Sequence, residues 1–226
     1  MLAGSFFARN KLRCHEVLYL GYMWLTKASY TTALIQTGHS SPTVTEYYSH
    51  YRQLVITDID TEDTVIGGQN IVVEIDESKF GRRKNNRGHH VEGIWVLGGI
   101  EKTEERRTFL VPIQSRDANT LLTLISAHVH PGSIIYTDCW RGYAGLEDGL
   151  PYTHFTVNHS QTFVDADSGV HTNTIEGTWA GVKMRIAPRN RNSNIQNHLF
   201  EFIWRRKYES SLWERLLHAL KETLYE

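Results

Sequence analysis

Two hydrophobic periods divide the chain. Residues 15–27 are apolar and aromatic enough for a buried helix, residues 30–36 suit a short second helix, and a third is predicted from Ser41-Pro42 to about Val55. Thr37-Gly38-His39-Ser40 makes a turn between the last two. Pro42 fits an early helical position, and Thr43 with Glu46 matches a capping box. Residues 58–70 are acidic and then glycine-rich, and read as a linker. From residue 71 the pattern becomes strand-like, with runs at 71–76, 93–100, 108–113 and 133–138 and a fifth at 154–158. The first three lie close enough in sequence for an antiparallel meander. Residues 117–130 start on a cap residue, carry Leu121, Leu124, Ile125 and His128 at helical spacing, and stop at Pro131-Gly132. A crossover helix there makes the fourth strand parallel to an earlier one. Residues 140–146 suit a short helix. Residues 195–207 and 211–224 are amphipathic helices expected to pack on the sheet or on a second subunit.

The stretch from His171 to Lys183, HTNTIEGTWAGVK, carries the most chemistry. Cap-type residues open a helical pattern in which Ile175, Trp179, Val182 and Ile186 share one buried face. Glu176 lies beside that face and Lys183 two turns further along it, so an acid and a base flank a packed tryptophan. Upstream, IVVEID and SIIYTD each close on an aspartate, Asp76 and Asp138. Strand-end aspartates followed by a helix-borne glutamate suggest a triad for metal-dependent phosphoryl transfer. Near the N-terminus, helix, short glycine-containing turn and helix form a helix-turn-helix pattern. Its second helix would offer Thr43, Thr45, Glu46, Tyr47 and His50 to DNA.

Composition narrows the class. The 226 residues are 40% hydrophobic and 22% charged, as in a globular protein of one large domain or a medium domain with an appendage. The longest apolar run, residues 17–25, is too short to span a bilayer, so no membrane is expected. Cys14 and Cys139 lack metal-ligand spacing and read as free thiols in a reducing compartment. A formal charge of −1 argues against a protein that coats nucleic acid, but the charges are segregated. Arg82, Arg83, Lys84 and Arg87 form one run without acids, Lys183, Arg185, Arg189 and Arg191 a second, and Arg205, Arg206 and Lys207 a third. One such run is usually a solvated face; three flanking the candidate acids fit a groove for a phosphate backbone.

The segments VEIDESKFGRRKNNRG, DANTLL with HVHPGSIIYTDCWRGY, VNHS and HTNTIEGTWAGVK occur in order and resemble the Merlin-type transposases and their bacterial insertion-sequence relatives, in the DDE transposase superfamily. The resemblance covers residues 71–207. It implies an α/β, ribonuclease H-like mixed five-stranded sheet flanked by helices, two divalent ions (magnesium or manganese), and cleavage and transfer of DNA strands. Carried over, Asp76, Asp138 and Glu176 are the catalytic and metal-binding acids. Lys183 would hold a DNA phosphate beside them, with Arg185, Arg189, Arg82, Arg83 and Lys84 as further backbone contacts and Thr45 and Tyr47 reading sequence. Asn158, His159, His171 and Asn173 are candidates to orient the acids or touch DNA. Asn173 also competes with Glu176 as third ligand, since some relatives are described with asparagine there. The anionic oxygen and its spacing to Lys183 favour Glu176.

The implied organisation is a helix-turn-helix-like segment (1–57), a linker (58–70), a ribonuclease H-like catalytic core (71–191) and C-terminal helices (192–226). The implied partners are transposon-end and target DNA and a second copy of the chain, as a homodimer or higher oligomer. The compartment would be the cytoplasm in a prokaryote and the nucleus in a eukaryote. Family members commonly carry a cysteine-rich zinc ribbon before the helical segment, and this sequence begins near where one would end. Two alternatives to an active transposase follow: a non-catalytic or domesticated DNA-binding derivative, and a nuclease that hydrolyses without joining.

Overall fold

The computed structural model describes residues 6–7, 11–81, 93–147, 150–157, 171–191 and 194–222. In chain order the elements are α1 (Cys14–Leu25), α2 (Tyr30–Thr37), α3 (Ser41–Thr57), β1 (Ile66–Gly67), β2 (Val72–Phe80), β3 (Ile94–Glu101) and β4 (Thr108–Ile113). There follow α4 (Ala118–His128), β5 (Val129–His130), β6 (Ile134–Asp138), β7 (Thr153–Val157), α5 (Asn173–Arg185), α6 (Ile195–Lys207) and α7 (Leu212–Glu222). Single 3-10 turns lie at Thr61–Thr64, Arg141–Tyr143 and Pro188–Asn190. Two compact units result, Met1–Ile59 with Trp204–Glu226, and Asp60–Ile203, so the division falls inside α6.

In the helical unit α1, α2 and α3 pack on one another and α7 packs on α1 and α3. The expectation that the last helix covers the sheet or a second subunit is thereby corrected: Leu216, Ala219 and Leu220 are buried in the same cluster as Val17, Leu20, Val44 and Leu54. Gly38, at φ 69°, ends α2 in the left-handed conformation that glycine adopts without a Cβ penalty, which makes the tight turn into α3. The capping box of Thr43 and Glu46 does not form. Helix α3 already starts at Ser41, because Pro42 needs no amide partner there, and the Thr43 hydroxyl meets Ser40 Oγ at 2.9 Å. Asp58 closes the unit by accepting the Trp204 indole N–H at 2.8 Å and Arg215 Nε at 2.7 Å.

Strands β2, β3 and β4 form the expected antiparallel meander. After the crossover through α4, β6 pairs parallel to β2 and β7 parallel to β6, giving the five-stranded order β4-β3-β2-β6-β7. This mixed sheet flanked by helices is the ribonuclease H-like arrangement implied by the motifs. Helix α4 begins at an Asp117 cap that accepts the Thr120 amide at 2.9 Å, and it buries Leu121 and Ile125. The sheet supplies Val73, Ile75, Leu97, Phe109 and Ile135 to the cluster that contains both.

Two sequence expectations change. Strand β2 does not end at Asp76 but runs on to Phe80, because Glu77 and Ser78 are buried and keep their places in the ladder with β3. Residues 58–70 are not a bare linker. Ile66 is fully buried and pairs with Val129, and the buried Glu101 carboxylate accepts the Gly67 amide at 2.6 Å.

Candidate active site

Two adjacent parallel strands, β2 and β6, each carry an aspartate. Val72, Val73 and Glu74 pair with Ile134, Ile135 and Tyr136 in parallel, and Asp76 and Asp138 each follow two residues beyond the last pair, near enough for the Asp138 charge to act on Asp76. Neighbouring residues of a parallel pair point to one face, so both acids look towards the side that α5 covers. Asp138 is held locally, its Oδ1 accepting the backbone N–H of Trp140 at 2.9 Å. Asp76 is held by α5, since its Oδ2 accepts the indole N–H of Trp179 at 3.0 Å. Trp179 is thus a core residue, as its helical face indicates, and also orients a candidate ligand. On the neighbouring strand Gly98 pairs with Asp76, and a Cβ there would lie 2.6 Å from the Trp179 ring.

Burial pushes the Asp76 carboxyl up to about 6, and the charges of Asp138 and Glu176 add to the rise. The Glu77 amide and the Trp179 indole hold it back. On the opposite face of β2, burial pushes Glu77 up to about 7, helped by Asp76 and Asp138 and opposed by the Tyr143 hydroxyl and the Arg116 guanidinium. Glu77 and Tyr143 approach one another, but neither Glu77 Oε1 nor the Tyr143 hydroxyl reaches hydrogen-bond geometry with any described group. Arg116 lies over the rings of Trp95 and Trp140, 4.0 and 4.6 Å from their centroids. Neither Glu77 nor Arg116 stood out in the sequence; the one signal was a second acid directly after Asp76.

These shifts predict a pH dependence with a definite sign. Both groups have folded pKa values above their ordinary values of 3.8 and 4.5, so their neutral forms favour the folded state. That contribution is complete below about pH 4 and is lost as pH rises through 6 to 7. Thermal unfolding of the metal-free protein in a chelating buffer is expected at lower temperature at pH 8 than at pH 5, and Glu77→Gln is expected to shrink the difference. An undiminished difference in that variant refutes a strained Glu77.

Helix α5 delivers the remaining groups. Ile175, Trp179, Val182 and Ile186 are buried as their spacing requires. Glu176 is exposed in the first turn, where an acid suits the helix dipole. Lys183 is half-buried, with its Nζ 5.4 Å from the Phe80 ring centroid. Desolvation and Arg191 lower its pKa, and Asp76 opposes them. Arg191 donates to the carbonyls of Lys183 and Ile186, so this member of the second basic run fastens the C-terminus of α5. Arg185 and Arg189 are exposed.

Other candidates fall elsewhere. Tyr47 is 6% exposed and belongs to the helical core, which corrects its assignment as a base-reading residue. Thr45 is exposed, but its hydroxyl is held by the Tyr30 hydroxyl at 2.7 Å and the Ser41 carbonyl at 3.0 Å. Arg205, from the third basic run, is buried and donates to the carbonyls of Leu25 and Trp24 at 3.0 and 2.9 Å, capping α1 rather than facing a phosphate. Asn173 is the exposed first residue of α5 and not its cap, which is Thr172. His171 meets Lys102 at 2.9 Å and Glu74 at 3.3 Å. Arg82, Arg83, Lys84, Asn158 and His159 lie outside the described residues.

With this geometry established, comparison with known proteins is decisive. Residues 58–207 match the ISXO2-like transposase domain. The chain belongs to that transposase family. It is also 32% identical over 101 residues to an uncharacterized transposase-like protein of Haemophilus influenzae, an alignment covering 44% of this chain and 80% of that protein. The matched span contains β2, β6 and α5, hence every acid considered above. A transposase domain implies DNA as partner and a polynucleotidyl-transfer or nuclease chemistry. Hard divalent ions prefer carboxylate oxygens, and Asp76 fits them: it is a half-buried carboxylate whose neighbours, Asp138 and Glu176, repel its charge. Among the described residues no three His, Cys, Asp or Glu side chains stand closely enough to hold an ion as they are. No described helix is long and apolar enough to cross a membrane.

Proposed function

We propose that this chain is a DNA transposase in which Asp76, Asp138 and Glu176 are the metal-binding acids of strand cleavage and strand transfer. The observation that supports it best is that Asp76 and Asp138 each follow two residues beyond the last parallel pair of β2 and β6, with the charges of Asp138 and of Glu176 on α5 both acting on the Asp76 carboxyl. Divalent ions, when bound there, stabilise the attacking and leaving oxygens of an in-line displacement at phosphorus. The protein's own groups do the rest. Trp179 fixes one Asp76 oxygen. The Trp140 amide fixes one Asp138 oxygen. Lys183 carries a positive charge within electrostatic reach of Asp76, where a scissile phosphate needs one. In the first step water attacks the phosphorus at the transposon end and displaces the 3′-oxygen, leaving a free 3′-hydroxyl; in the second that 3′-hydroxyl attacks a target phosphorus and displaces the target strand's own 3′-oxygen, so one phosphodiester is broken for each one formed. Likeness to Merlin-type elements and assembly as a dimer on DNA belong to the same proposal and rest on the motifs.

The deciding assay joins a pre-cleaved, labelled transposon end to a supercoiled plasmid in the presence of magnesium. Joined product supports a transposase. Release of label without joining makes the protein a nuclease. Binding without either makes it a DNA-binding derivative, the second reading.

Backbone binding has its own signature. Replacing the exposed Arg185 and Arg189 by Ala is expected to weaken binding to all sequences and to lower the salt slope by roughly one for each lost phosphate contact. Titrations at several salt concentrations check this; a slope unchanged in the double variant removes these arginines from the interface.

A further inference from the structure

Glu74 is unused in the reading above, yet no part of it reaches solvent. It stands two residues before Asp76 on β2, and therefore on the same face. Its Oε2 accepts the backbone amides of Thr174 and Ile175 at 2.8 and 3.0 Å, and its Oε1 accepts the Thr174 hydroxyl at 2.9 Å. These are the second and third residues of α5, whose cap residue Thr172 makes no side-chain cap bond. Two other helices are capped locally, α2 by Ser29 and α4 by Asp117. At α5 the cap comes from a strand 100 residues away in sequence. Lys102 and His171 complete the surroundings of Oε1 at 3.7 and 3.3 Å.

The helix touches the same strand again where Trp179 donates to Asp76. From Ile175 to Trp179 a helix rises about 6 Å, and from Glu74 to Asp76 a strand advances roughly 6.6 Å. The two anchors are therefore spaced alike on both elements, and Glu176 directly follows the first. A local Ser or Asp would satisfy the same amides without tying α5 to β2, and without burying a charge, which costs stability unless fully paired. We infer that Glu74 is a positioning residue: by clamping the first amides of α5 to the strand that carries Asp76, it sets the height at which Glu176 meets the two aspartates. The inference rests on the triad proposed above.

The test uses the full chain and manganese alone as probe. Binding of Mn²⁺ is measured by calorimetry without DNA, alongside the magnesium dependence of end cleavage. Glu74→Gln is expected to raise the Mn²⁺ dissociation constant about tenfold, as loss of a group orienting a ligand does. In a Glu176→Gln background the same change is expected to matter less than about twofold, because Glu74 acts through Glu176. Unchanged Mn²⁺ affinity in Glu74→Gln overturns the inference. An equal loss in both backgrounds also overturns it, since Glu74 would then serve the fold in general. If Glu74→Gln does not fold, Thr174→Val removes a single donor and keeps both amide bonds; a rise of about twofold is expected, and none overturns the inference. A wild-type chain that binds no Mn²⁺ rejects the triad and this inference with it, whereas binding by the wild type that is insensitive to Glu74 rejects only the inference.

Discussion

Asp76→Asn is expected to abolish metal-dependent cleavage and, in the same protein, to raise the thermal stability of the metal-free state. The two effects have one cause. Asp76 is a half-buried carboxylate facing the charges of Asp138 and Glu176, and its pKa is pushed up to about 6. At pH 8 its ionised form strains the fold, and an amide of the same shape removes that strain while still able to accept the Trp179 N–H. The gain is on the order of 1–3 kcal/mol in the absence of metal. A neutral amide is a poor ligand for a hard ion, and losing several kcal/mol of charge stabilisation in the transition state slows cleavage by at least about a thousandfold. Parallel melting curves in chelator and end-cleavage assays in magnesium test both halves. Near-normal cleavage by Asp76→Asn removes it from the site; lost cleavage with lowered stability makes it a structural carboxylate.

The same assays separate the two candidates for the third ligand. Glu176→Gln is expected to lose cleavage and keep DNA binding. Asn173→Ala is expected to change either by little, and stability by no more than about 0.5 kcal/mol, because Asn173 is exposed and the first amides of α5 are satisfied by Glu74. The reverse outcome would move the third ligand to Asn173.

The elements that were legible in advance are those whose partners lie close in sequence or whose period is unambiguous. The meander, the crossover helix and the parallel return of β6 follow from short apolar runs and from a helix bounded by Asp117 and Pro131-Gly132. The buried face of α5 follows from the spacing of Ile175, Trp179 and Val182. What escaped was long-range satisfaction of polar groups. Glu74 reads as one more acid in an apolar run, and nothing local says that it caps a helix a hundred residues on. Arg205 sits in a basic run, yet its guanidinium closes the end of α1. The extension of β2 past Asp76 was hidden because Glu77 and Ser78 are polar and buried together. Tyr47 did carry a signal: Val44, Tyr47, Tyr51, Leu54 and Val55 form one helical stripe, and all are buried.

Gly98→Ala is expected to impair cleavage by about a hundredfold, although residue 98 carries no functional group. In the sheet, Gly98 pairs with Asp76 across β2 and β3. A Cβ there would lie 2.6 and 2.8 Å from two atoms of the Trp179 ring and 2.9 Å from a Leu110 methyl. Such separations force movement, and the side chain that can move without breaking the ladder is Trp179. Its displacement withdraws the N–H that fixes Asp76 and lifts α5 at the turn between Glu176 and Lys183. Overpacking a buried site costs about 1–3 kcal/mol, so the variant still folds with a lower melting temperature. A shift of about 1 Å in a reacting group is enough for a hundredfold loss of rate. Trimming the obstacle provides the control. Trp179→Phe in the Gly98→Ala background is expected to recover the stability, because the smaller ring clears the new methyl. It is not expected to recover cleavage, because phenylalanine has no N–H for Asp76. Full recovery of activity in the double variant would show that Trp179 only fills space and that Asp76 needs no partner on α5.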